Sequence, residues 1–145
     1  MDSKWINKNP QTLAIIFENG DEVMAGLKEA AVKYKLAASH FTAIGAFQEV
    51  TLGFFDLATK SYKKTVISEQ LEVLSLIGDI SLQDAEPQIH AHIVVGKADA
   101  TVRGGHFISG IVRSTLEVIL TESATHLHRK FHPEFGLALI DVKAA

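Results

Sequence analysis

The chain has 145 residues, 47% of them hydrophobic, with a formal net charge of −3 and no cysteine. One domain of this length can bury a sizeable core without cross-links. The composition excludes disulfides and thiolate metal ligands. The acidic balance argues against a domain whose main partner is the DNA backbone, because phosphate neutralisation supplies most of that affinity.

Residues 1–11 are read as a polar N-terminal extension carrying Trp5. The chain has neither the apolar stretch of a signal peptide nor a segment of membrane-span length, so a cytoplasmic protein without membrane contact is expected. Thr12-Leu13-Ala14-Ile15-Ile16-Phe17 reads as a short buried strand. A helix should start at Asn19-Gly20-Asp21-Glu22, with Asn19 as cap and Glu22 three positions on. Val23, Leu27, Ala30, Ala31 and Tyr34 recur at helical spacing, and the helix should end near Tyr34 and Lys35.

The remainder reads as strands. Residues 39–45 begin one, and in residues 48–56 Val50, Leu52 and Phe54 alternate against Glu49, Thr51 and Gly53. Residues 62–68 follow a turn. Residues 71–81 are nearly all apolar, which predicts a central strand buried on both faces. Asp84-Ala85-Glu86-Pro87 reads as a loop. Gly110 should open a long strand over residues 111–121, and residues 136–142 a last one. The sum is an α+β domain over residues 12–142, a mostly antiparallel sheet with one main α-helix packed on it, followed by a tail at residues 143–145.

The chemistry concentrates in Gln88-Ile89-His90-Ala91-His92-Ile93 and Arg103-Gly104-Gly105-His106. An alternating strand points His90 and His92 to one face and Ile89, Ala91 and Ile93 to the other. A third imidazole from a neighbouring strand would complete a nitrogen set suited to zinc, with nickel or iron as alternatives. Strand parity restricts how His106 joins. If only Ala98 and Asp99 were unpaired in the preceding turn, His92 would face Gly105 and His106 would point away. A three- or five-residue connection, or a bulge at Gly104-Gly105, restores His106 to the shared face. Otherwise the third ligand comes from a different strand pairing or another subunit.

Three ligands leave a fourth metal position for water, a small anion or a small-molecule ligand. An enzyme acting through zinc-bound water would also need a proton carrier. Glu72 and Glu117 are the strand carboxylates that could serve, either by transferring protons or by orienting a histidine. Glu72 stands out as the sole charge in residues 71–77, where a carboxylate needs a partner or a role. His126, His128 and His132 lie in a polar stretch and read as solvated surface, and His40 reads as structural. No phosphate-binding glycine loop, serine elbow or aromatic stacking platform is present.

Leu71-Glu72-Val73-Leu74-Ser75-Leu76-Ile77-Gly78-Asp79-Ile80, Pro87-Gln88-Ile89-His90-Ala91-His92, Gly104-Gly105-His106-Phe107 and Thr115-Leu116-Glu117-Val118 resemble the PPC domain (plant and prokaryote conserved domain). The resemblance runs over residues 12–142. It implies an α+β fold, a homotrimer and, as in prokaryotic members, a metal site on His90, His92 and His106. Family members often carry a DNA-binding label, which stems largely from plant relatives whose domain follows a basic AT-hook. This chain has no such segment, which leaves DNA association through an assembly domain as the alternative role. Self-assembly has separate support, since near-continuous apolar strands offer more surface than one helix covers; the number three is implied by the resemblance alone.

Overall fold

A computed structural model describes residues 1–144. Among them one helix and nine strands form: β1 (Asp2–Lys8), β2 (Gln11–Glu18), α1 (Val23–Tyr34), β3 (Ala38–Asp56), β4 (Ser61–Ile67), β5 (Leu71–Gln83), β6 (Glu86–Gly96), β7 (Val102–Glu122), β8 (His128–His132) and β9 (Leu137–Asp141). The α+β, mostly antiparallel architecture is as the patterning indicates. The one parallel contact joins β5 to β8 at Leu82 and His128.

Four strands carry the structure of the site. β3 pairs with β5, β5 with β6, β6 with β7, and β7 returns to β3. This closed circuit leaves no free edge among the four, and it buries Phe41, Phe47, Phe107, Leu76, Ile80, Ile93 and Val95. α1 covers β6 and β7, inserting Val23, Leu27, Ala30 and Ala31 into the same core. No helix among the described residues is long and apolar enough to cross a membrane.

Several expectations are corrected. The helix cap is Glu22, whose carboxylate accepts from the backbone N–H groups of Met24 and Ala25 at 3.2 and 2.6 Å and also from Gly110 at 3.2 Å. Asn19 is drawn away instead, accepting from the Ser114 N–H at 3.1 Å. The predicted C-terminus holds: Lys35 turns left-handed at φ 55° and Leu36 N–H bonds back to Ala31 C=O, which satisfies the last carbonyls.

Residues of the polar N-terminal stretch pair with β2 as β1. Their side chains are mostly exposed on an edge, which is why they lack an apolar signature. The two strands expected within residues 39–56 are one bent strand, β3. Irregularities near Gly45 let it pair with β5 at one end and β4 at the other. Gly110 lies inside β7 rather than opening it.

β5 is not buried on both faces within the chain. Leu71, Val73, Leu76 and Ile80 point inward, while Leu74 and Ile77 are 51% and 53% exposed. The register shift between Val73 and Ser75 explains the apolar run. Leu74 is an extra residue that resets the inward parity, so two alternating patterns read together as continuous.

Candidate metal centre

β6 presents its two faces as predicted. Ala91, Ile93 and Val95 are buried, whereas His90, His92 and Val94 face outward. β7 then delivers His106 to the same face. Its register places His92 opposite His106, Ile93 opposite Gly105 and Gly96 opposite Val102. The connection is therefore the five-residue form, residues 97–101, with no bulge between β6 and β7. Local bonds hold that turn: Lys97 N–H to Thr101 C=O at 2.9 Å, Ala100 N–H to Lys97 C=O at 2.9 Å, and the Asp99 carboxylate accepting from the Thr101 N–H and hydroxyl at 3.0 and 2.6 Å.

The glycines before His106 are needed by close approach. A Cβ on Gly105 would lie 2.8 Å from the Gly53 carbonyl oxygen of β3, and one on Gly104 would lie 2.8 Å from that of Ile93 on β6. β7 is wedged between two strands here, and only backbone fits.

His90, His92 and His106 each offer one ligand atom, and the three atoms lie within 4.8 Å of one another. They are the one group of its kind among the described residues. The ring centroids are 5.1 Å apart for His90 and His92, 5.4 Å for His90 and His106, and 5.5 Å for His92 and His106. Tyr62 of β4 stacks on the His106 ring at 4.6 Å and limits its movement. Nδ1 of His106 is buried without a hydrogen-bond partner, alone among the buried side-chain nitrogens and oxygens described. Such an orphan costs about 1–3 kcal/mol, which a metal bond at that nitrogen would recover.

A tetrahedral zinc with Zn–N bonds of about 2.0–2.1 Å holds its nitrogens roughly 3.4 Å apart, and the three ligand atoms here lie within 4.8 Å of one another. The electrostatics agree. Burial first, and then His90 and His92, push the His106 pKa from 6.5 down to about 4. Burial and His90 lower His92 as well. Both rings are thus neutral at neutral pH, the state a ligand requires. The three residues fit a transition-metal ion.

Glu72 and Glu117 are elsewhere. Glu72 pairs with Ala46 and Gly96, and Glu117 with Ile44 and Ile16. Both are exposed and share a groove with Ile44, Leu74 and Arg113. The charge of Glu72 is simply solvated, because strand alternation between the buried Leu71 and Val73 turns it outward. Along β5, Glu72 stands five residues from Ile77, the partner of His92, or about 16 Å at strand rise.

The carboxylate beside the site is Asp79, with Oδ2 3.6 Å from Nδ1 of His90. Its other oxygen accepts from Nη2 of Arg129 at 2.6 Å. Burial alone would raise the Asp79 carboxyl, but His90 and Arg129 more than offset it and hold it below the usual carboxylate range. Asp79 was legible in principle. A two-residue turn at Asp84 and Ala85, both left-handed at φ 51° and 67°, sets Asp79 opposite His90. Reading residues 84–87 as a longer loop hides that pairing. His40, paired with Asp79 across β3 and β5, borders the same groove as His90 and His92.

The second histidine group stays apart. The His126 and His128 rings are 6.5 Å apart, and His132 contacts Glu134 at 3.0 Å.

The model of the Plants and Prokaryotes Conserved (PCC) domain matches residues 6–124, which include all three histidines. The chain belongs to this family. Solved structures agree with the assignment. The PCC domain described here is similar to a Pyrococcus horikoshii plant- and prokaryote-conserved protein, at 30% identity and TM-score 0.84, covering 92% of this chain and 93% of that one. It is similar to a metal-containing protein from Archaeoglobus fulgidus, at 32% identity and TM-score 0.82, covering 89% and 91%. It also resembles a Bacteroides thetaiotaomicron protein described as a "putative DNA-binding protein", at 26% identity and TM-score 0.92, covering 98% and 99%. Among curated proteins, none matches the chain.

Proposed function

We propose that this PCC domain is a metal-binding module in which His90, His92 and His106 hold a zinc ion. The observation that carries the reading is the convergence of three imidazole nitrogens, one from each histidine, within 4.8 Å of one another, with Nδ1 of His106 buried and unpartnered. The metal-containing Archaeoglobus fulgidus relative supports it. Three protein ligands leave one position for a small anion or small molecule, where a bound ion would act as a Lewis acid. The chain's own residues position that ligand field. The β6–β7 register sets the His92–His106 separation, Tyr62 braces His106, and Asp79 faces the ring of His90. Metal analysis of protein purified without an affinity tag tests the reading: one ion per chain is expected, and His92→Ala should abolish it.

The module assembles as a homotrimer in this reading. The outer face of β3, β5, β6 and β7 leaves Ile44, Leu74, Ile77 and Ile119 between 43% and 60% exposed. Four large aliphatic side chains on one sheet face are more than a monomer usually leaves in water. The family's DNA-binding label finds less support in the side chains. Lys63 pairs with Asp56, Lys97 pairs with Glu69, and Lys60 donates to the Pro133 carbonyl. These lysines are tied to the protein's own acceptors rather than gathered into a phosphate-binding stripe.

A further inference from the structure

Arg129 lies beyond the residues that the family model matches, on the C-terminal hairpin of β8 and β9. Its side chain is nevertheless only 9% exposed. A guanidinium withdrawn this far from water needs partners for its charge and its donors. Three are present. Nε donates to Oγ of the fully buried Ser81 at 2.7 Å, Nη1 to the Ala138 carbonyl at 2.9 Å, and Nη2 to Oδ1 of Asp79 at 2.6 Å. The hairpin backbone is fixed as well: Leu82 N–H bonds to Leu127 C=O at 2.8 Å, and Leu127 N–H to Ala37 C=O at 3.1 Å.

This arrangement divides the Asp79 carboxylate. Oδ1 takes Arg129 and, at 3.4 Å, the Ser81 hydroxyl, while Oδ2 is left facing Nδ1 of His90 at 3.6 Å. A carboxylate on one imidazole nitrogen orients the ring and presents the other nitrogen to a metal. We propose that Arg129 is a positioning residue of the metal centre, acting through Asp79 on His90. The inference rests on the three-histidine reading above. At 3.6 Å the Asp79–His90 contact is longer than a hydrogen bond, and this positioning role requires it to shorten when the ion is in place. The hairpin is then part of the site's construction rather than an appendage to the family fold.

The test uses the full chain without a tag, stripped by chelator and titrated with Co(II) against a competing chelator. The d–d spectrum is followed, and folding is checked by circular dichroism. Asp79→Asn should weaken binding about ten- to hundredfold and alter the spectrum. Arg129→Met should weaken it too, with little further loss in the Asp79→Asn background, because both act through one carboxylate. Arg129→Lys, which keeps a cation beside Asp79, should recover much of the affinity and covers the case in which the methionine variant does not fold. The inference is overturned if Asp79→Asn leaves affinity within about twofold of wild type. It is equally overturned if the two losses multiply, since a general structural role would act independently. If the wild-type chain takes up no Co(II), or His92→Ala still binds it, the three-histidine reading itself has failed and this inference falls with it.

Discussion

His92 and His106 stand directly opposite each other across β6 and β7, with ring centroids 5.5 Å apart. That pairing turns two sequence-distant imidazoles into neighbours, and His90, two residues before His92 on the same face of β6, completes the triangle. It depends on a turn length and on two glycines, so the site can be perturbed from both.

Removing one ligand should uncouple metal binding from folding. His92 is exposed, so His92→Ala opens no core cavity. We expect loss of the bound ion with the metal-free melting temperature nearly unchanged. The stabilisation that added zinc gives the wild type, which grows as RT ln(1 + [L]/Kd), should vanish. Thermal melts with and without zinc, for both proteins, measure this.

Gly105→Ala should damage the site through the backbone. The added Cβ would sit 2.8 Å from the Gly53 carbonyl oxygen, and that atom belongs to β3 rather than to a flexible side chain. Overpacking of this kind costs about 1–3 kcal/mol, and the β7 shift it forces displaces His106. Urea unfolding together with metal titration should show both losses. An alanine variant with unchanged stability would count against the close-approach explanation of the glycine pair.

The metal-stripped protein should lose stability in mild acid. Burial, then His90 and His92, lower the His106 pKa from 6.5 to about 4. A group with a lowered folded pKa takes up its proton more readily when unfolded. Its contribution is therefore complete above 6.5 and is lost as the pH falls through 6.5 toward about 4. Guanidinium midpoints should drop over that interval, and His106→Leu should flatten the part of the drop that His106 causes.

Charge on the outer sheet face should break the assembly. Leu74 is 51% exposed at the β5 bulge, so Leu74→Asp costs the monomer little. Light scattering behind a sizing column should read three chains for the wild type and one for the variant. Unchanged mass in the variant would place the interface elsewhere.

How much could be read in advance varies element by element, for physical reasons. α1 was legible because Val23, Leu27, Ala30 and Ala31 keep helical spacing, and all four are buried. Its cap was not, because Asn19 and Glu22 can both accept backbone N–H groups, and only the position of β7 assigns Asn19 to Ser114 and Glu22 to Met24, Ala25 and Gly110. The outward facing of His90 and His92 followed from alternation alone. The same rule also showed that His106 needed a particular connection, and residues 97–101 supply the five-residue one. β5 misled because its bulge at Leu74 joins two parities into one apolar run.

By itself the sequence determined α1, the apolar core strands, the histidine face of β6 and the family, since these depend on local periodicity and motif, whereas the polar edge strands β1 and β8 carry no such signal. The tertiary structure alone decided which carboxylate serves the site. Glu72 shares a strand with residues near the histidines yet lies about 16 Å along it, whereas Asp79 and Arg129, fifty residues apart in the chain, meet at 2.6 Å. Periodicity reports which face a side chain takes. It carries no information on which distant strand is laid beside it, and that placement is what builds the site around His90.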